Sequence, residues 1–571
     1  MVYDWKVKPS SDEGLLSNLS KDLNINKHLC HLLAQRGIRS YDEAKRFFRP
    51  SLNELYDPYL LSGMDIAVKR ILKAISSKEK ILVYGDYDVD GTTSVAMMYR
   101  FLSTLLDDIL YYIPDRYKEG YGVSEEGIRF AKSADVSLIL TIDCGIRAVD
   151  KVELASSLGI DVIICDHHEQ GEQLPRAVAI LNPKKRGDTY PFKGLSGCGV
   201  AFKLIQAVSK ELYITEDVVN SFLDFVAISI AADIVPVVDE NRILLYHGLK
   251  QINSSPSDGI RSLLYAAAEG DITERSYKVR DIVFGVAPMI NAAGRIGHAH
   301  DAVELFTTKN PIRRIELAKK AHEKNETRKS LDRAITAEAL DIINSSQKLQ
   351  KASSTVLYNP EWSKGVIGIV ASRCIETYYR PTIIFTQSNE DEATGSARSV
   401  AGYSVYDAIN SCGHLLTKYG GHKYAAGLSL KLENLEKFTA EFEKIVSATI
   451  NPDLLIPKIN IDGELPFEFI NYNIYNIIEQ MAPFGPENMS PVFFCQKVSV
   501  VSYKILKDKH LKLTLRHNSS TQTFNAIAFN MAEKEALLKP GTINISFSIE
   551  ENCYLGRCKL QLKIKDIRKQ H

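Results

Sequence analysis

Between residues 80 and about 245 the chain alternates short apolar runs, "KILVYGD", "VSLILTIDCG", "DVIICDHH" and "AVAILNP", with stretches whose apolar residues recur every three or four positions. Short apolar runs of this kind predict strands. The stretches between them predict crossover helices, so the segment reads as a parallel sheet of the α/β class. Residues from about 20 to 75 read as helical in "INKHLCHLLAQRGI" and "MDIAVKRILKAI", with "RPSLNELYDPYLLSG" as a loop between them. From 312 to 348, "IRRIELAKKAHEKNETRKSLDRAITAEALDIINSSQK" keeps one charged amphipathic pattern without interior Gly or Pro. That predicts a single long helix linking two lobes and fixing the distance between them.

A second α/β lobe opens with "STVLYNPEW", continues through "GVIGIVASRCIETYYRPTIIFTQ" and ends at "YGGHKYAAGLSL". After about residue 453, "KVSVVSYKIL", "LKLTLRH", "TFNAIAFN", "TINISFSIEE" and "KLQLKIKDI" follow one another without long helices, which predicts a small antiparallel barrel. The expected organisation is an N-terminal helical region over 1–75, a first α/β lobe over 76–311, the connecting helix over 312–348, a second lobe over 349–452 and the barrel over 453–571. The barrel is expected to carry its own core and to be joined mainly through a linker.

Composition narrows the class without naming a substrate. With 571 residues, 45% hydrophobic and 25% charged, the chain has the makeup of an ordinary soluble protein of several domains. Lys+Arg and Asp+Glu both number 70, so any basic surface for a polyanion must be local. The nine cysteines are odd in number, scattered and never spaced as CxxC. That argues against a disulfide framework or a zinc–thiolate site and for a reducing compartment. The amino terminus has no apolar signal core and no apolar run approaches the length of a membrane span, which sets the expectation of a cytoplasmic protein.

The predicted strands end in unusual residues. "VYGDYDVDG" ends in Asp86, Asp88 and Asp90; "LILTI" is followed by Asp143; "DVIIC" is followed by Asp166, His167 and His168; and the apolar helix "FVAISIAA" is followed by Asp233. In an open parallel sheet, ligands bind beyond the carboxyl ends of the strands. Singly, each of these residues has an ordinary explanation as a turn or a helix cap. Together they point to a cation site, because carboxylates this close repel unless a metal neutralises them. Carboxylates and imidazoles without thiolates suit two Mn(II) or Mg(II) ions, the pair that clamps phosphoryl transfer to water.

The motifs "DYDVDG", "TIDCG", "DHH" and "ADIVPVVDENR" resemble the four motifs of the DHH phosphoesterase family. "GVIGIVASR" and "GGHKYAAG" resemble its associated DHHA1-like second domain. "MAPFGPENMSPVF" is similar to the approach to an OB-like domain in the family's single-strand-specific exonucleases, and "NAAGRIGHAHDA" and "PDRYKEGYG" fit the same branch. The resemblance implies that Asp88 holds the first metal, that Asp143 bridges, and that Asp90, His167 and Asp233 complete the second site. Asp86 stands at the edge as a ligand or a charge behind the ligands. His168 contacts the scissile phosphate, and Asp166 orients the histidine pair by hydrogen bonding. Ser372, Arg373, Ser396, Arg398, Gly420, Gly421 and His422 form a phosphate or nucleotide clamp, and Arg116 and Arg295 hold the strand or its end. Trp362, Ser363 and Lys364 stand where the family commonly has Trp-His before "GV", so a contact made by that histidine is not expected here.

Residues 501–571 hold 13 Lys+Arg against 6 Asp+Glu, a local excess suited to tracking a phosphate backbone. Tyr503, Phe524, Phe529 and Tyr554 are candidate stacking platforms for bases. The expected activity is a metal-dependent, single-stranded-DNA-specific 5′ to 3′ exonuclease that releases 5′-nucleotides in DNA repair and recombination. Single-stranded DNA is the expected partner, with a helicase or a single-strand-binding protein as candidate protein partners of a monomer. The rival readings are a phosphoesterase of oligoribonucleotides, cyclic dinucleotides or polyphosphate, which has no use for a basic barrel, and a non-catalytic scaffold, which would have lost ligands that this chain keeps.

Overall fold

The structure, a computed structural model, describes residues 2–116, 118–268, 276–296, 299–517, 520–538, 542–554 and 556–569. Gly297 and His298, within "NAAGRIGHAHDA", and Tyr117, within "PDRYKEGYG", lie outside the described residues. The chain forms two compact units, one of Met1–Lys8 and Glu326–Ile461, the other of Pro9–Asn325 and Asp462–His571.

In the larger unit the strands Ile81–Gly85, Ile109–Tyr112, Leu138–Ile142, Asp161–Cys165 and Ala179–Leu181 form a wholly parallel sheet, with the second and fifth at its edges. Alternation divides the side chains between two cores: Ile81 and Val83 pack on one face, Leu82 and Tyr84 on the other. The first face is covered by the helices Met64–Ser76, Val89–Leu102, Gly197–Glu211 and Leu223–Asp233, the second by Glu125–Ser133 and Val149–Ser157. Burial on both faces explains why these strands read as continuous apolar runs. Pro311–Asn344 is one helix, ending four residues before the expected limit, and it carries the chain from one unit into the other.

The smaller unit is built on a mixed sheet ordered Lys418–His422, Ala425–Lys431, Glu392–Arg398, Thr382–Asn389 and Thr355–Tyr358, of which only the last pair is parallel. The helix Ile367–Thr377 packs on one face, and Val405–Ser411 and Leu435–Thr449 on the other. Asp4–Val7 is a strand, not part of a helical region, and pairs in parallel with Lys458–Ile461.

The C-terminal strands close into a barrel. Phe493–Leu506, His510–His517, Thr523–Ala528, Arg557–Lys569 and Thr542–Tyr554 follow in that order, and the last pairs back to the first. The barrel is not wholly antiparallel, since Thr523–Ala528 runs parallel to Arg557–Lys569. Nor does it stand on a core of its own. Leu29, Leu32, Leu33 and Ala44 from the amino-terminal helices, with Ile38 from the turn between them, share one cluster with Leu465, Phe467, Phe493 and Phe547. The expected 1–75 region is therefore divided, because Met64–Ser76 packs instead into the first lobe.

Of the four aromatic platforms, Phe524 is buried edge-on against Phe467, and the Tyr503 hydroxyl donates to Glu535 at 2.9 Å. Phe529 and Tyr554 remain exposed at 48% and 75%. Cys553 and Cys558 face each other across a hairpin and form a disulfide, one bridge that the scattered spacing did not lead one to expect; the other seven cysteines are free and buried. No helix among the described residues is long and apolar enough to cross a membrane.

Candidate metal centre

Strand register brings the acidic residues to one level. Gly85 pairs with Ile142 and Ile142 with Cys165, so the next residue of each strand, Asp86, Asp143 and Asp166, emerges at the same edge of the sheet. Asp88 caps the following helix by accepting from Gly91 N–H at 3.0 Å, which sets Asp90 in its first turn. Asp233 arrives from the other direction, as the last residue of the apolar helix Leu223–Asp233. Asp143 itself has left-handed backbone, φ 61°, and so does Ile234, φ 60°, immediately after Asp233.

His167 stands at the centre. Its Nε2 lies 3.2 Å from Asp143 Oδ1, 3.6 Å from Asp233 Oδ2 and 3.8 Å from Asp90 Oδ2. Burial holds its pKa below the usual histidine value, so the ring offers a lone pair rather than a positive charge. Asp90, Asp233 and His167 place ligand atoms within 4.8 Å of one another, as do Asp143, His167 and His168. Neither oxygen of Asp86, nor Asp143 Oδ1, nor either ring nitrogen of His167 has a hydrogen-bond partner, although all are buried. Burial, reinforced by neighbouring carboxylates, pushes the pKa values of Asp86, Asp88 and Asp143 up, and that of Asp233 up to about 9. Buried polar atoms left unpaired among like charges are what a cation would satisfy. An oxygen and imidazole donor set without thiolate fits Mn(II) or Mg(II).

The remaining predicted residues divide into orienting groups and an arginine pair. Asp166 accepts from the backbone N–H groups of His167 and His168, from Ile146 N–H and from His168 Nδ1, the last at 2.7 Å. Burial alone would raise its pKa, but these bonds and the His168 charge bring it below the normal value. The same bond and charge raise the pKa of His168 against the opposing pull of burial. Arg116 stacks over the Tyr87 ring at 4.8 Å, and Arg295 acts electrostatically on the same tyrosine.

In the smaller unit, cross-strand register aligns Gly420 with Gly427 and Ser396, and His422 with Ala425 and Arg398. The Arg398 guanidinium donates to Ser396 Oγ at 3.0 Å and lies against Gly368, where a β-carbon would come within 2.9 Å of Nη2. Ser372 Oγ donates to Gly368 O at 3.2 Å on the same helix. Gly420 and Gly427 face open space, whereas a side chain on Gly421 would meet the neighbouring strand. Arg373 is half exposed and pairs with Glu376 at 3.1 Å.

Several residues in the first site were not singled out from sequence. Asp90 is held by Gly197 N–H (2.7 Å), Cys198 N–H (2.9 Å) and Ser229 Oγ (2.7 Å), and Ser229 in turn meets Ser196 Oγ at 2.7 Å. The Tyr121 hydroxyl reaches His168 Nε2 at 3.1 Å. Ser229 stands one helical turn before Asp233, and Tyr121 lies inside "PDRYKEGYG", so spacing and motif each carried a signal.

Known proteins match this arrangement along the whole chain. The family models "DHH family, N-terminal domain", "DHHA1 domain" and "RecJ OB domain" match residues 80–230, 351–448 and 461–566. The single-stranded-DNA-specific exonuclease RecJ of Bacillus subtilis is 36% identical over 98% of this chain and 70% of its own. The Escherichia coli protein of the same name is 32% identical, over 94% of this chain and 95% of its own. The crystal structure of Thermus thermophilus RecJ with Mn2+ superimposes with a TM-score of 0.85 at 27% identity, covering all of this chain and 80% of that one.

Proposed function

The chain belongs to the RecJ family of single-stranded-DNA-specific exonucleases, and on that premise we propose that it degrades single strands from the 5′ end, releasing 5′-nucleotides. The observation that carries this reading is the buried, unpaired set of Asp86, Asp143 and His167 among carboxylates at one sheet edge. Asp88, Asp90, Asp143, His167 and Asp233 would hold two divalent ions, with Asp143 as the ligand they would share. When bound, Mn(II) or Mg(II) supplies an activated water and neutralises the phosphate oxygens.

The chain's own residues do the rest. Asp166 fixes the His168 ring by its 2.7 Å bond and favours its protonated form, so that His168 offers a charged donor to the scissile phosphate. Arg116 and Arg295 pair with phosphates of the entering strand. Arg398, Ser396, Ser372 and Arg373, over the glycine floor of Gly420 and Gly421 with His422, take the terminal 5′-phosphate. The basic barrel holds the trailing strand. The protein acts in the cytoplasm as a monomer, on strands opened by a helicase or covered by a single-strand-binding protein.

The direct test compares 5′-labelled and 3′-labelled single strands, with a duplex control, in Mn(II) and in Mg(II). Label released first from the 5′ end, with duplex spared, is the expected result; release from the 3′ end overturns the polarity. Arg398→Ala is expected to raise KM for 5′-phosphorylated strands by about 10- to 100-fold, as a charged hydrogen bond contributes about 1.5–3 kcal/mol. Hydrolysis of a minimal nucleotide ester should change little, and equal losses on both substrates would remove Arg398 from the clamp.

A further inference from the structure

A turn of the C-terminal domain is locked onto the segment that leaves Asp233. Val237, four residues beyond that carboxylate and 1% exposed, donates its N–H to Pro486 O at 2.8 Å. Gly485 in the same turn lies so close that a β-carbon there would overlap Val237 Cγ2. The turn is closed by reciprocal 3.0 Å bonds between the backbones of Gly485 and Asn488. The Asn488 side chain donates to Met481 O and Pro483 O at 3.0 and 2.8 Å.

Arg242 fastens the first-lobe side of this junction. It is 5% exposed, stacks 4.0 Å from the centroid of the Phe47 ring, and donates to the carbonyls of Phe47, Met481, Ala482 and Pro483 at 2.9–3.3 Å. The path from Val237 back to Asp233 is short and stiff. It holds the left-handed Ile234, buried Val235, and Pro236, whose carbonyl accepts from Asn241 Nδ2 at 2.9 Å. A displacement at Val237 therefore has few free torsions in which to dissipate before it reaches the carboxylate.

We propose that Gly485 and Arg242 are positioning residues: the 485–488 turn braces the segment after Asp233 and so holds its carboxylate in place beside His167 and Asp90. This bracing reaches the chemistry only through Asp233 as a metal ligand, the reading given above. The C-terminal domain thereby completes the metal site as well as gripping DNA. The ion held by Asp233 is the one that loosens when the turn is displaced, while Asp88 stays fixed in its cap.

Mn(II) binding to metal-stripped, full-length protein, followed by electron paramagnetic resonance, tests this without relying on activity. Gly485→Ala is expected to weaken one of two ions tenfold or more. The other ion, and single-strand affinity in chelator, should stay within about twofold. Val237→Ala in the same chain should restore the weakened ion by making room for the added methyl. Unchanged Mn(II) binding in Gly485→Ala overturns the bracing, provided Asp233→Asn loses an ion. If Asp233→Asn loses none, the reading of Asp233 as a ligand fails first and the bracing fails with it. Should Gly485→Ala not fold, Arg242→Lys takes its place, since it keeps the charge but reaches fewer carbonyls; the same weakening is expected, and unchanged binding overturns the proposal.

Discussion

Asp143→Ala is expected to lower the rate of hydrolysis at least ~1000-fold, about 4 kcal/mol of lost transition-state stabilisation at about 1.36 kcal/mol per tenfold, while single-strand affinity stays within about twofold. The asymmetry follows from the position of the residue. Its Oδ1 lies 3.2 Å from His167 Nε2, the atom that Asp90 and Asp233 also approach, and in the proposed centre the loss of a shared ligand would disable both ions together. The Lys and Arg residues of the barrel belong to another domain and are untouched. A second consequence has the opposite sign. Asp143 is buried without a partner for Oδ1 and sits among like charges, so the metal-free variant should melt no lower than the metal-free wild type, and higher if the left-handed backbone tolerates alanine. Activity within tenfold of wild type would remove Asp143 from the bridging position.

Deleting residues 462–571 is expected to leave a fragment that does not unfold cooperatively, or that melts at least ~10 °C below the full chain. The deletion would uncover Leu29, Leu32, Leu33 and Ile38. At about 1.5–3 kcal/mol for each buried side chain, that is about 6–12 kcal/mol, comparable with the whole stability of a typical domain, about 5–15 kcal/mol. Arg36 and Arg242 would lose the Met481–Met489 segment at the same time, leaving Arg242 buried without most of its acceptors. Thermal melting and gel filtration read the outcome. A fragment that melts at the full-length temperature as a monodisperse species would show that the barrel is an independent appendage after all.

The candidate metal ligands could be picked out because they gather just after apolar runs that read as a buried strand or helix, and because the sheet register that aligns Asp86, Asp143 and Asp166 is the one such runs adopt. Their supports could not. Ser229 and Ser196 are residue types that cap helices everywhere, and the bond from Ser229 to Asp90, with Ser196 behind it, joins positions 139 residues apart. Arg242 sits in the motif read for Asp233, yet its acceptors are backbone carbonyls of Phe47 and of the segment about 240 residues later, which no side-chain pattern announces. The shared core failed for a similar reason. "KHLCHLLA" shows that one helix face is apolar, but not which neighbour covers it. Cys553 and Cys558 escaped because hairpin register, not CxxC spacing, brings them together.

Asp143 and Ile234 both hold a left-handed backbone that L-residues adopt at a cost of about 1–2 kcal/mol. An engineer seeking a heat-resistant variant would rank both positions near the top, since glycine removes such strain. Here they are the two to leave alone. One is a proposed metal ligand, and the other turns the chain directly after a second. Glycine at Ile234 would relax the very joint that aims Asp233, and thermal tolerance would come with a slack catalytic centre. Heat resistance in this enzyme is better sought at the exposed tips of the barrel, away from the junction at which strain and aim are the same property.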